Sequence, residues 1–274
     1  MAVRDILLHM GDDELANARC AAAMALAQSH EAHLTALYVA KTPYIPGYIR
    51  AYIGEDVLAE QRRQVFELAE AAEKKFNDSA ERNGVSHEWR VAFGDDRALM
   101  EFHARYADLA VVSQGKVATE HTEGVYDLAE ELVLTAGRPV LVIPYAGKWP
   151  IIGGQVMVAW NGGREAARAV SDAMPILERA EKVTVFSVGP DAENHIPGAD
   201  LCTHLARHGV KAVASHTMAK DVDVGNLVLS AAFDMSADLL VMGAYGHSRL
   251  RELALGGATH EILGHMTLPV LMSH

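Results

Sequence analysis

The chain has 274 residues, half of them apolar, and 36 Asp and Glu against 24 Lys and Arg give a net charge of −12. That length suggests two domains or one large one, with apolar residues enough for a core in each. The charge argues against a nucleic-acid backbone as partner, and with no apolar run of about 18 residues no membrane span is expected.

The N-terminal stretch MAVRDILLHM sets an acid inside a short apolar run with no small-residue cleavage site after it, so it does not read as a signal peptide. Cys20 and Cys202 sit in helix-like stretches, and with no leader they read as reduced packing residues of a cytoplasmic protein. The first strand is Ile6-Leu7-Leu8, and Asp12 and Asp13 after it read as a helix N-cap and a first-turn acid. A long charged helix is expected from Gly54 to Arg82. Tyr44, Tyr48 and Tyr52 before it are candidates for a pocket of their own. Further strands follow at Ala107–Ser113 and Arg138–Val142. The stretch Ala146-Gly147-Lys148-Trp149-Pro150-Ile151-Ile152-Gly153-Gly154 then reads as a linker from its Pro and Gly content.

Beyond it, strands are expected at 155–160, 182–188, 211–217, 238–243 and 269–273. Helices are expected at about 164–180, 198–208, 222–236 and 257–266. The 164–180 helix places Ala166, Ala169, Val170, Ala173, Ile176 and Leu177 on one face, with Pro175 expected to kink it. The strands are short, continuous and rich in Val, Leu, Ile and Met, as in a parallel sheet covered on both faces.

The chain repeats itself. Ala107–Ser113 matches Ala237–Gly243, and Arg138–Val142 matches Leu268–Met272, both at an offset of 130 residues. The first strands match at an offset of 150, so some 20 residues between about Tyr44 and Gly84 lack a counterpart, where the second copy has only a short helix, Asp200–Arg207. A whole domain is duplicated, unlike a solenoid with its short period. The expected fold is α/β: two tandem doubly wound domains, 1–146 and 153–274, each a five-stranded mostly parallel sheet with helices on both faces. Such sheets take ligands at the carboxyl ends of the strands, near the switch in strand order.

The second copy carries the densest signal. The strand Asp238–Met242 runs into Gly243-x-x-Gly246, and nine residues later Gly256-Gly257-Ala258-Thr259 open a helix. Glycine after a strand and before a helix start leaves backbone N–H groups open to an anion. The charge agrees: residues 1–145 carry −9 of the net charge and residues 146–274 only −3. At the end of the copy's first strand, Ala159-Trp160-Asn161-Gly162-Gly163 reads as a tight turn capping the next helix, with a ligand role for Asn161 and Gly162 compatible with it.

The spacing Gly, two residues, Gly, nine residues, Gly, then a small hydroxyl residue resembles the nucleotide-binding signature of the universal stress protein superfamily, whose fold is adenine-nucleotide alpha-hydrolase-like. The resemblance covers both copies. It implies that Gly243 and Gly246 approach ribose and phosphate and that Gly256, Gly257, Ala258 and Thr259 hold phosphate. It also places adenine near Ser187 and Val188. Relatives generally have Asp where Asn161 stands and Ser or Thr where Gly257 stands; Thr259 matches a second hydroxyl position. ATP, ADP or AMP is the implied ligand, with Mg²⁺ accompanying a triphosphate by bridging its oxygens. Single-domain members dimerise through their last strands. That implies an intramolecular pseudo-dimer here, with Val140–Ile143 paired to Val270–Met272, and further homodimerisation left open.

The first copy lacks the signature. Gly115 alone lies near a glycine position, and Gly124-Val125-Tyr126-Asp127-Leu128 stands where the phosphate glycines belong, with Tyr126 and Asp127 crowding and repelling an anion. Arg249 and Arg251 read as solvated. His204 and His208 have the i, i+4 spacing that can hold zinc, but with no HExxH glutamate and no cysteine pair nearby they read as a solvated face, and no metal ligand is assigned. No Walker-type loop, nucleophile elbow or matched acid–base pair appears, so no catalytic residue is assigned.

Two readings follow. One is a stress-response or signalling protein that binds an adenine nucleotide in its second domain with little or no catalysis, slow ATP hydrolysis being a minor variant. The other is a binding module of the same fold that has lost nucleotide affinity and acts through an unknown protein partner or another small ligand.

Overall fold

The computed structural model describes residues 2–40, 55–115, 128–189, 196–218, 223–246 and 257–274. The first half contributes β1 (Asp5–Met10), α1 (Ala16–His30), β2 (His33–Ala40), α2 (Glu55–Asn83), β3 (His87–Phe93), α3 (Asp96–Ala104), β4 (Leu109–Ser113), α4 (Leu128–Thr135) and β5 (Val140–Ile143). The second contributes β6 (Gln155–Ala159), α5 (Arg164–Leu177), β7 (Lys182–Val188), α6 (Ala199–Arg207), β8 (Ala212–Thr217), α7 (Val224–Asp234), β9 (Leu239–Gly243), α8 (Ala258–His265) and β10 (Val270–Ser273).

The ten strands form one sheet in the order β3-β2-β1-β4-β5-β10-β9-β6-β7-β8. Every neighbouring pair is parallel except the central one, β5 with β10. There Val142 lies opposite Val270, Leu141 opposite Leu271 and Val140 opposite Met272, the pairing expected from the sequence. Each half winds outward in both directions from its first strand, so strand order switches between β1 and β4 and between β6 and β9.

Alternate strand residues divide between the two faces. Ile6, Leu8, Val156, Val158 and Val241 pack with α1, α2, α5 and α6 in one core layer. Leu7, Met157, Leu240 and Met242 pack in the other with α3, α4, α7 and α8. Both layers run through both halves, and each fully buried Val or Leu contributes about 1.5–3 kcal/mol. The residues expected on the inner face of α5 are all buried. Pro175 falls in its last turn; the helix runs on to Leu177, and the Glu178 N–H donates to the Met174 carbonyl at 2.9 Å. On α2, Phe76 stacks on Trp89 at 5.5 Å, and Trp89 on Tyr38 at 5.6 Å, so the long first-half helix is seated on β2 and β3.

The duplication reaches individual hydrogen bonds. Asp108, just before β4, accepts from the Arg4 and Asp5 N–H groups at 2.8 and 3.1 Å. Asp238, 130 residues on, accepts from Gly153, Gly154 and Gln155 at 2.7, 3.1 and 2.9 Å. Each aspartate anchors the start of its half's first strand.

Candidate functional site

The second half's switch point lies at the carboxyl ends of β6 and β9. Leaving β6, the chain turns through Asn161, whose side-chain oxygen accepts from the Gly163 N–H at 2.8 Å, and Gly162, whose φ of +72° is left-handed. The expected turn forms, and it leaves the Asn161 Nδ2 as the group that can still face a ligand. Gly163 is the N-cap of α5.

Leaving β9, the glycines divide in role. A Cβ on Gly243 would lie 2.3 Å from the Ala166 nitrogen and 2.4 Å from the Glu165 carbonyl carbon. Its bare face is therefore occupied by the first turn of α5, a correction to the expectation that it bares backbone to a ligand. Among the described residues, a Cβ on Gly246 would meet the Glu165 carboxyl group, with Oε2 at 3.1 Å. Between them Tyr245 takes a left-handed φ of 55° and its N–H donates to the Thr259 hydroxyl oxygen at 3.2 Å. Thr259 is 3% exposed, so its oxygen ties the glycine loop to the first turn of α8 rather than lying open. Gly257 is the α8 N-cap in an extended conformation, φ −61° and ψ 157°. Ala258 begins the helix beside Thr259. Gly256, Arg249 and Arg251 lie outside the described residues.

At the end of β7, Ser187 is 6% exposed and its hydroxyl has no hydrogen-bond partner among the described residues. Val188 is half-buried beside it. Gly198, with φ +82°, closes that wall, since a Cβ there would stand 2.8 Å from the Val185 side chain and 3.6 Å from the Ser187 hydroxyl. The structure thus brings Asn161, Gly162, Gly243, Gly246, Gly257, Ala258 and Thr259 to the ends of strands around the switch, with Ser187 and Val188 one strand further out.

Glu165, which sequence reasoning passed over, is 8% exposed and borders Gly246. Its own backbone N–H holds its carboxyl below the usual range. Burial opposes that, and the Arg164 guanidinium, 2.8 Å from Oε1, reinforces it. An ionised carboxylate therefore stands beside the glycine loop. The signal was an acid in the first turn of a helix that begins at the strand switch.

The first-half counterpart is closed. Arg19, 2% exposed, donates to the His9 carbonyl at 2.6 Å, to the Ser113 hydroxyl at 2.6 Å and to Asp13 at 2.8 and 3.3 Å. Ser113 stands where the second half has Gly243, so the guanidinium plugs the space between β1 and β4. Asp12 accepts from the Tyr38 hydroxyl, and Asp13 also accepts from the Leu15 N–H at 3.0 Å. Helix α1 starts after Leu15 with no side-chain cap, which corrects the reading of Asp12 and Asp13 as N-cap and first-turn acid. Burial alone would raise the Asp13 carboxyl, but the hydrogen bonds and charge of Arg19 outweigh it and hold it low. Tyr44, Tyr48, Tyr52 and Gly124–Asp127 lie outside the described residues.

A separate cavity of about 630 Å³ opens along α5, between Trp160, Met174 and Leu201 on one side and Val3, Arg138 and Pro139 on the other. His204 and His208 line it with ring centroids 4.8 Å apart, and no group of three metal-ligating side chains converges among the described residues. Burial pushes the Cys20 thiol up to about 11 and raises that of Cys202, and neither cysteine is in a disulfide. Among the described residues no helix is long and apolar enough to cross a membrane.

Residues 154–274 match the Universal stress protein family. A 38-residue stretch is 50% identical to universal stress protein Slr1230 of Synechocystis, covering 14% of this chain and 13% of that protein. The crystal structure of a universal stress protein from Archaeoglobus fulgidus superposes with a TM-score of 0.78 at 13% identity, over 97% of this chain and 95% of that one. A functionally unknown protein from Pseudomonas aeruginosa superposes with a TM-score of 0.57 at 18% identity, over 99% and 92%. The structural likeness extends the fold to the first half, which the family match does not reach.

Proposed function

We propose that the chain is a tandem member of the universal stress protein superfamily, as the family match over residues 154–274 supports, and that its second half, residues 153–274, binds an adenine nucleotide while residues 1–146 form a companion half whose own site is plugged. The observation that carries this reading is the bond from the Tyr245 N–H to Thr259, which brings the Gly246 backbone and the start of α8 together at the strand switch. A helix start presents N–H groups without intrahelical acceptors and a partial positive charge, which suits phosphate. Ser187 supports the other end of the ligand. A buried hydroxyl without a partner costs about 1–3 kcal/mol, and a heterocycle nitrogen would relieve it.

On this reading the backbones of Gly246, Gly257, Ala258 and Thr259 hold phosphate. The Asn161 Nδ2 meets the ribose, and Ser187 with Val188 the base. ATP, ADP or AMP would be sensed for stress response or signalling with little or no turnover, and a triphosphate would bring Mg²⁺ with it as its own counter-ion. Glu165 favours a second reading. Its carboxylate faces the Gly246 backbone and opposes phosphate there, so the site would instead take a ligand of low charge, or the protein would act through partners.

The test is mass spectrometry of small molecules released on denaturation, paired with thermal shifts in ATP, ADP and AMP with Mg²⁺. Ligand at a hundred times its Kd should stabilise the protein by about 2.7 kcal/mol. Gly246→Trp, which fills the loop without touching the α5 contact of Gly243, should abolish that gain. No released nucleotide and no shift at millimolar concentration would refute the first reading in favour of the second.

A further inference from the structure

We propose that Gln114, a first-half residue, positions the second half's ligand site by fixing helix α8 from its carboxyl end. The inference rests on the reading that the start of α8 takes phosphate. Gln114 follows β4 and is 2% exposed. Its Nε2 donates to the Leu263 carbonyl at 2.7 Å and the Gly264 carbonyl at 3.1 Å, and its Oε1 accepts from the Tyr145 N–H at 3.1 Å. The Met266 N–H bonds the Ile262 carbonyl, and Met266 then leaves the helix with ψ 138°. The Leu263 and Gly264 carbonyls are therefore among those a helix end leaves without intrahelical donors, and a side chain from the other half supplies one.

Helix α8 has eight residues, too few to be stable alone, so its placement is set by what holds its two ends. The amino end is tied to the Gly246 loop through Thr259, and the carboxyl end to the first half through Gln114. The helix is about 12 Å long at 1.5 Å per residue, so a shift at one end moves the other. His260, also on α8, bonds Glu130 of α4 at 3.0 Å, a second contact from the same half.

The duplication shows that the clamp is one-sided. Gln114 stands 130 residues before Ala244, and their backbones are placed alike: the Gln114 N–H donates to Ile143 and the Ala244 N–H to Ser273. Alanine has no side-chain donor, so Ala244 cannot return the clamp to α4. The residue differs where the first half has lost its glycine loop.

The experiment uses the full chain, Gln114→Leu, and Phe76→Leu as a control that loosens the first-half core away from α8. Hydrogen exchange over 258–265 without ligand reads positioning directly, and titration calorimetry with ATP and AMP reads its consequence. Gln114→Leu should speed exchange in α8 at least tenfold and raise Kd at least tenfold, about 1.4 kcal/mol. Phe76→Leu, at a comparable loss of Tm, should leave both within twofold. Should Gln114→Leu fail to fold, Gln114→Asn, which keeps the amide but shortens its reach, is read the same way. Unchanged α8 exchange, or an equal change in the Phe76 variant, overturns the proposal, as does unchanged affinity. A parent protein that binds no nucleotide refutes the cradle reading, and the exchange measurement then decides the role of Gln114 alone.

Discussion

Gly243 and Gly246 belong to one motif, yet the structure predicts opposite consequences for filling them. In Gly243→Ala the new methyl would sit 2.3 Å from the Ala166 nitrogen and 2.4 Å from the Glu165 carbonyl carbon. Both atoms are backbone in the first turn of α5, so relief requires that helix to move off β9. Overpacking of this kind costs about 3 kcal/mol or more. In Gly246→Ala the nearest atom among the described residues is the end of the Glu165 side chain at 3.1 Å, which can swing aside, and the cost should be below about 1 kcal/mol. Urea midpoints at constant m-value measure both losses. If Gly243→Ala loses less than about 1 kcal/mol, or Gly246→Ala loses as much as Gly243→Ala, the division of the motif into an architectural and a ligand-facing glycine is wrong.

Two further outcomes follow from the electrostatics. Burial first and the Arg179 charge second lower the His30 imidazole from 6.5 to about 4, so the folded form is neutral. Stability from this group is present above pH 6.5 and lost as pH falls toward 4, by up to about 3 kcal/mol; urea midpoints against pH should show a shallower acid limb in His30→Leu, and matching limbs would exclude the effect. Glu165→Gln removes a buried charge beside Gly246. At an effective dielectric of about 20, a phosphoryl charge about 5 Å away gains on the order of 3 kcal/mol at most, so affinity for ATP relative to adenosine should rise, by up to about a hundredfold. An unchanged ratio in calorimetry would mean that phosphate does not approach Gly246.

The architecture was legible because it is written in short range and twice. Short apolar runs bounded by turn residues, such as Leu239–Met242, suit buried strands, and the repeated Arg138–Val142 and Leu268–Met272 segments marked the last strand of each half. Their mutual pairing was what the resemblance implied, since single-domain members pair through their last strands, and it covers both edges. The site was legible only where a residue's own backbone conformation demanded it, as in the Asn161–Gly162 turn. Gly243 misled because a missing Cβ looks the same in sequence whether a ligand or a helix fills the space. Arg19 and Gln114 gave no local sign. Arg19 is tied to Ser113, 94 residues on, as well as to nearby His9 and Asp13, and Gln114 reaches Leu263 and Gly264 in the other half; nothing in the pattern around either residue marks it as buried. Asp13 shows the converse: its acid-before-helix pattern suits an N-cap, but a buried guanidinium is the stronger partner.

The antiparallel seam between β5 and β10 makes the molecule nearly two-fold symmetric, as a pair of separate subunits would be. Identical subunits are bound by a restriction that this chain escapes. In a homodimer every residue occurs at both related positions, so one position cannot be glutamine for its neighbour and alanine for itself. Joining the halves through a linker lifts that restriction. One half can give up its own cavity to an arginine and extend a side chain across the seam, while the other keeps its glycines. Asymmetry within a symmetric frame is thus available here without any second gene product, and it predicts that exchanging Gln114 and Ala244 would move the clamp to the wrong helix.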